Sequence, residues 1–525
     1  MSMYCVLRFL KAIQMLLLNE ISYFTLLIKK GIWIPIVFAF VGCSTFGSTK
    51  DQPSKRSDAS SISRSALASR IDKIIASNKS TEGSLVALTV RDAKTGDVLY
   101  ALNTENRLSP ASNLKLVTLY SAFSVLGGDY RFETSLMTDG IQREGHLAGN
   151  LYLKGTGDPT LSADDYDSLA SDLAARGISK IDDNLVLDDT WFDSIALGSG
   201  WMIDDEDKYF AAQIAALTFS PNADFDAGSV IIDVSAVETG NSAPRITVSP
   251  RNNVVKVISR VVNGNTSAVT ISRARGSNDI YVSGTVKPGD SIQELRSVWR
   301  PSLIVSDIFQ IALKRHGIEV AGHAVVGQAA PEQVSILVKH QSASLESLAI
   351  PLMKLSNNTM AEIFLKSIGR KSLNQGSASA GVQATLGVLA ADGINSESLI
   401  QVDGSGLSRY NLVTSRILTD ILLAARKKPW FAALYASLPV AGQPDRLIGG
   451  TLRNRMRGTV AESKVIAKTG SMTGISSLSG YVTAVDNYPL VFSILLNNLI
   501  KPANQTEDSI AETLASCRCA SGETH

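Results

Sequence analysis

The spacing of apolar residues changes several times along the chain, and each change predicts an element. "SALASRIDKIIAS" (65–77) has Leu and Ile at helical spacing and predicts an amphipathic helix. "GSLVALTVRDAKTGDVLYALN" alternates apolar with polar, pauses and alternates again. That predicts a hairpin, with strands over 84–92 and 98–103 and a turn at Lys94-Thr95-Gly96-Asp97. "LSPASNLKLVTLYSAFSVLGGDY" enters a helix after Pro110; its apolar face includes Leu116, Leu119, Tyr120 and Phe123, and Gly127-Gly128 ends it. Residues 133–335 read as short strands with polar turns until "PSLIVSDIFQIALKRHG", which predicts a helix. Residues 341–370 predict two helices parted by "LSNN", and 377–392 and 413–426 two more. "SKVIAKTGSMTG", "SLSGYVTAVD" and "YPLVFSILLNN" predict three strands, the last two joined by a tight turn at Asp486-Asn487, and "TEDSIAETLAS" closes as a helix.

Helix, strand, strand at one end and strand, strand, strand, helix at the other can pair into one antiparallel sheet. The expected class is α/β (α+β), one interrupted domain with the middle of the chain inserted. The length of 525 residues suits two or three domains.

Charge narrows the range of partners. Fifty basic residues against 49 acidic ones leave no field to hold the whole chain on nucleic acid, and no nucleic-acid partner is expected. Cys5, Cys43, Cys517 and Cys519 leave the body of the chain without a thiol, so it needs no disulfide and offers no Cys nucleophile. Cys517-Arg518-Cys519 reads as incidental thiols in a polar tail (513–525). The five His residues show no i,i+4 pair, which disfavours both a zinc helix and a Ser-His-Asp triad. No metal or cofactor is expected.

The amino-terminal region reads as an address. Lys29-Lys30 precedes "GIWIPIVFAFVGC", a short apolar run ending in small residues and a Cys. Gly42-Cys43 resembles a lipoprotein cleavage box, with Phe40 where Leu is usual; Cys43 is then the lipidated residue. An uncleaved anchor or an ordinary signal peptide is the other reading. A second apolar patch in residues 1–28 raises the alternative of synthesis starting near Leu26 or Leu27. Residues 44–62, rich in Ser, Thr, Lys, Asp and Gln, read as a flexible tether. An extracytoplasmic, membrane-anchored location is expected.

"AKTG" occurs twice, at 93–96 and 467–470. Lys-Thr-Gly is the third of three short motifs that together mark penicillin-recognising serine enzymes. The first, S-x-x-K, occurs once, as Ser112-Asn113-Leu114-Lys115. At i and i+3 on a helix both side chains share a face, and a desolvated Lys can serve as base to the hydroxyl. The second, S-x-N, has three candidates: Ser220-Pro221-Asn222, Ser356-Asn357-Asn358 and Ser372-Leu373-Asn374. Ser356 is preferred because it sits in a short break between two apolar helices. The first AKTG precedes the nucleophile and falls at a hairpin turn, so it reads as structural; the second, on a strand and third in order, reads as the site.

The ordered set "PASNLK", "LSNN", "AKTGSMTG" resembles the penicillin-binding D-Ala-D-Ala carboxypeptidase/endopeptidase family (peptidase S13, class C low-molecular-mass penicillin-binding proteins). "LYLKGTGDPTL", "WMIDDEDKYFAAQIAALTFSPN" and "DGSGLSRYN" resemble it too, and the likeness spans nearly all of 65–512. The resemblance implies a serine transpeptidase-like domain I (63–133 and 340–512) carrying inserted domains II (134–217 and 286–339) and III (218–285). It implies Ser112 as acylated nucleophile, Lys115 as its base, and Ser356 and Asn358 as the second motif. Lys468, Thr469 and Gly470 would bind the substrate's terminal carboxylate. The N–H of Ser112, with one near Ser471 or Thr473, would form an oxyanion hole. Trp201, Asp204, Tyr209 and Arg409, with Met472 nearby, would take a diaminopimelate side chain. "DDED" also reads as a solvated acidic loop, and its register leaves Asp205 open as the partner instead of Asp204. The second motif has Asn357 where the family commonly has Asp. The implied partners are peptidoglycan stem peptides and, as covalent inhibitors, β-lactams. A fast-deacylating β-lactamase and an inactive wall-binding lipoprotein are the rival readings.

Overall fold

A computed structural model describes residues 61–236 and 243–520. Cys43, the leader and most of the tether lie outside the described residues.

The two ends of the chain meet in one five-stranded antiparallel sheet. Its strands are β1 (Leu85–Asp92), β2 (Val98–Leu102), β3 (Val465–Met472), β4 (Ile475–Thr483) and β5 (Pro489–Asn497), in the order β3-β4-β5-β1-β2. Alternation decides which side chain faces which layer. Val86, Leu88 and Val90 of β1 join Ile494 and Leu496 of β5 on one face. There they pack with Leu67 and Ile71 of helix α1 (Leu67–Ser77) and with Ile510 and Leu514 of a closing helix, Asn504–Ala515. Ala87, Tyr481, Val491 and Leu495 face a second core on the other side. That core is made with α2 (Leu114–Val125), α3 (Leu345–Lys354), α4 (Asn358–Leu373) and α5 (Ser415–Ala425).

Burial of α2 goes further than its pattern predicts. Leu114 through Phe123 are all buried, so the helix is covered on every side, and Lys115 is buried with it.

The middle of the chain forms further sheets. A five-stranded sheet orders its strands Ala324–Val326, Leu185–Asp188, Leu151–Gly155, Glu133–Thr138 and Ser335–Gln341. It shares a core with Pro301–Arg315 and with a helix absent from the strand-only reading of this region, Ala163–Ala175. That helix has a capping box, Ser162 with Asp165, and buries Tyr166, Leu169 and Leu173. Two three-stranded sheets follow. The strand Ser291–Ser297 lies outside the expected 218–285 unit but pairs antiparallel with Ser229–Ser235.

The polar-tail reading of 513–525 is corrected for the described residues up to 520. The closing helix runs through Ala515, and Cys517–Arg518 pairs in parallel with Ile62–Ser63. Cys517 and Cys519 are buried in the core beside Leu67 and are joined as a disulfide. Thiols that look incidental in a polar string are apolar enough to fill the end of a core when the helix before them docks.

Candidate active site

Four segments distant in sequence converge on Ser112. A single 3₁₀ turn, Ala111–Asn113, puts Ser112 at the entrance to α2 and Lys115 in its first helical turn. The backbone is forced there. Ala111 has φ +45°, a region costing a non-glycine residue about 1–3 kcal/mol. Gly406 packs so close that a Cβ would stand 1.9 Å from the Ala111 carbonyl oxygen. Asn113, with its amide turned so that both ends are paired, donates to the Lys468 carbonyl (2.6 Å) and accepts from Ser477 Oγ (2.7 Å) and the Leu478 N–H (3.2 Å). The Ser112 turn is thereby tied to β3 and β4.

Lys115 Nζ is 2.9 Å from Ser112 Oγ, 2.7 Å from Asn358 Oδ1 and 2.8 Å from the Ser405 carbonyl oxygen. The last two can only accept. An uncharged amine has two N–H groups for them and one lone pair left for the serine hydroxyl. Burial pushes the Lys115 amine down to about 7, against the charges of Asp403 and Glu362, which favour the protonated form. Asn358, first residue of α4, is held in this orientation by donating Nδ2–H to the Phe210 carbonyl (2.9 Å).

Ser356 lies in the break between α3 and α4 with φ +61°. Its hydroxyl is 2.9 Å from Lys468 Nζ, which also donates to the Thr469 carbonyl (2.8 Å). Burial first, and the Lys115 charge second, hold the Lys468 amine well below its ordinary value. The rival S-x-N strings lie elsewhere: the Ser220 hydroxyl donates to the Asn222 carbonyl, and Ser372 is exposed at the end of α4.

The remaining predicted residues divide. Thr469 Oγ1 meets Thr451 Oγ1 at 2.7 Å. Gly470 has no room for a side chain: a Cβ would lie 2.3 Å from Ser477 Oγ, 2.7 Å from the Pro110 oxygen and 2.9 Å from the Ser112 nitrogen. Ser471 is exposed and Met472 half-buried at the end of β3. Arg409 donates to the Thr473 carbonyl (3.0 Å). Trp201 donates its indole N–H to Asp403 (3.0 Å). Asp204 is 80% exposed and pairs with Arg275 (3.1 Å), whereas burial raises the half-buried Asp205 carboxyl against the charges of Lys208 and, less, Arg409. Tyr209 is exposed, edge-on to Phe210.

Sequence reasoning missed five residues of this site: Asn113, Thr451, Glu362, Asp403 and Ser405. Glu362 accepts from the N–H groups of Gly404 (2.9 Å) and Ser405 (2.8 Å). Asp403 accepts from the N–H groups of Gly406 (2.8 Å) and Ser408 (2.7 Å) and from Asn411 Nδ2 (2.8 Å). A usable signal existed for some of them: Asn113 sits inside S-x-x-K, and Asp403 opens "DGSGLSRYN".

The model of the D-Ala-D-Ala carboxypeptidase 3 (S13) family matches residues 67–516. A D-alanyl-D-alanine carboxypeptidase of Actinomadura sp. is 38% identical over 466 residues, 87% of this chain and 86% of that one. The D-alanyl-D-alanine carboxypeptidase DacB of Haemophilus influenzae is 29% identical over 429 residues, 80% of this chain and 86% of that one. The crystal structure of penicillin binding protein 4 (dacB) from Haemophilus influenzae superposes with a TM-score of 0.74 at 27% identity, covering 85% of this chain and 98% of that chain. The chain belongs to the D-Ala-D-Ala carboxypeptidase 3 (S13) family.

Proposed function

We propose that the protein is a serine DD-peptidase of peptidoglycan, working through an acyl-enzyme on Ser112. The observation that carries this is the buried Lys115 amine, with two obligate acceptors and one hydroxyl around it. Uncharged, it takes the Ser112 proton as Oγ attacks the carbonyl of a D-Ala-D-Ala bond or a D-Ala-diaminopimelate cross-link. The carbonyl electrons move onto oxygen, where the Ser112 N–H and one near Ser471 or Thr473 receive them. D-Ala or the partner stem leaves with a proton relayed through Ser356, and water then cleaves the ester. Lys468 and Thr469 take the terminal carboxylate, whose arriving negative charge favours the protonated form of the Lys468 amine and makes its hydrogen bond charge-assisted.

Trp201, Tyr209, Arg409 and Met472 would receive a diaminopimelate side chain. Asp205 suits its ammonium better than Asp204, since Asp204 faces Arg275 and solvent. β-Lactams acylate Ser112 as substrate mimics. The chain works outside the cytoplasm, held at a membrane through Cys43. Among the described residues no helix is long and apolar enough to cross a membrane.

The test is digestion of purified peptidoglycan by wild type and Ser112→Ala, read by mass spectrometry. Loss of terminal D-Ala or of cross-links with the wild type alone is expected. No change with the wild type would overturn the reading, and fast turnover of a penicillin without D-Ala release would replace it by a β-lactamase.

A further inference from the structure

Behind Lys115, away from the cleft, lies a carboxyl with no part in the steps above. Glu362 is one helical turn along α4 from Asn358 and is fully buried. It accepts from the backbone N–H groups of Gly404 and Ser405, so it holds in place the peptide whose Ser405 carbonyl takes an N–H from Lys115. The fit is close: a Cβ on Gly404 would lie 2.4 Å from the Ala361 carbonyl oxygen. The carboxyl also borders a cavity of ≈ 380 Å³ lined by Ile195, Leu197, Val382 and Val402 together with the Lys366–Asp193 pair.

We propose that Glu362 is a positioning residue for acylation: it clamps the 404–405 peptide that aims the Lys115 amine, and its charge sets the pH at which that amine can take the Ser112 proton. Glu362 makes and breaks no bond to substrate. The charged groups around it are Asp403 from the 401–411 loop, Lys115 from α2, and Lys366 one turn further along α4; Lys468 of β3 lies beyond Lys115. Lys366 is engaged by Asp193 (2.5 Å) and the Ile195 carbonyl (2.7 Å), so it is not the partner of Glu362. Burial and the Asp403 charge raise the Glu362 carboxyl to about 7, beside a lysine lowered to about the same value. The Asp403 charge first and the Glu362 charge second favour protonated Lys115, so the titrations of Lys115 and Glu362 are linked.

The inference rests on the DD-peptidase reading. Its test is the rate of acylation by a fluorescent penicillin across pH. Ionised Glu362 favours protonated Lys115, so Glu362→Gln, which keeps an acceptor for the two N–H groups, moves the acidic limb about one unit toward lower pH. Glu362→Asp keeps the charge but shortens the clamp, so its limb stays in place and its plateau falls several-fold. A Gln variant with a reduced plateau and an unmoved or raised limb would overturn the proposal and leave Glu362 a packing residue. If the Gln variant does not fold, carbon-13 signals of Lys115 and Glu362 in the wild type decide. Two coupled titration steps are expected, and independent single steps overturn the idea. A wild type that takes no penicillin label sinks the DD-peptidase reading; a labelled wild type with an unmoved limb in Glu362→Gln sinks only this inference.

Discussion

Lys94-Thr95-Gly96 and Lys468-Thr469-Gly470 are the same string in two physical settings. The first closes the hairpin between β1 and β2. Asp92 Oδ1 accepts from the Lys94 and Thr95 N–H groups, Gly96 has φ +83°, and the exposed Lys94 amine lies 4.6 Å from the centre of the Tyr488 ring. The second runs along β3 at the edge of the same sheet. Lys468 is buried, its amine is shared between Ser356 and the Thr469 carbonyl, and a second buried lysine lies near. In the turn the glycine serves backbone torsion. In the strand it serves closeness, since Gly470 is pressed against the Ser112 backbone. The two amines differ in solvation: Lys94 is exposed, whereas Lys468 is desolvated against its partners.

The strongest way to break this contrast is Lys468→Ala. It strands the Ser356 hydroxyl and removes the cation proposed to meet the carboxylate, so penicillin acylation should fall by roughly 10²-fold, in line with a lost charge-assisted hydrogen bond at a buried site. A rate within threefold of wild type would show that Lys468 is mere packing. Gly470→Ala comes next. The added methyl must move Ser477, Pro110 or Ser112, and acylation should drop by roughly 10-fold or more from the displaced oxygen. Gly96→Ala should instead cost about 1 kcal/mol of stability at its positive φ, with acylation per folded molecule unchanged. Exchanged outcomes for the two glycines would refute the division of roles.

The pH profile sharpens the same comparison. In the proposed mechanism the Lys115 amine, pushed down to about 7 by burial, is uncharged when it accepts the Ser112 proton. Above that pH the rate should be flat in this group. Below it the amine gains its third proton, and the rate should fall about tenfold per unit. A limb near 10 instead would mean that Lys115 is solvated in the working enzyme.

Much of this was legible in the sequence because the central sheet has strong patterns. Both faces of β1 and β5 are covered, so their apolar runs stand out, and Gly, Asp and Asn mark the turns between them. The three motifs were legible for a different reason: Ser112, Ser356 and Lys468 each stand at an identifiable break or strand. Ala163–Ala175 was not. Its run of Asp and Ser reads as loop until Ser162 and Asp165 are seen to cap it and Tyr166 is seen to face Phe309. Glu362 was not legible either, because the 404–405 peptide that it holds lies far along the chain and meets it only in the folded state. The tail failed for want of a partner: nothing local says that Cys517 and Cys519 will lie against Leu67.

Lys94→Ala is the smallest effect and the most discriminating. The amine is exposed, no ion pair engages it among the described residues, and a cation over an aromatic face at such a site contributes about 0.5–1 kcal/mol. The turn does not need the side chain, since its two hydrogen bonds to Asp92 come from backbone N–H groups. Acylation should therefore stay within twofold of wild type across the whole pH range, with a melting temperature lower by a degree or two. The turn does line a polar cavity with Arg91, Asp392, Arg416 and Asp420. If that face took part in handling the substrate, Lys94→Ala would slow release of D-Ala from peptidoglycan while leaving penicillin acylation untouched, because the small inhibitor reaches only the Ser112 cleft. Equal, near-wild-type rates on both substrates are expected, and a loss on peptidoglycan alone would make the first AKTG a site after all.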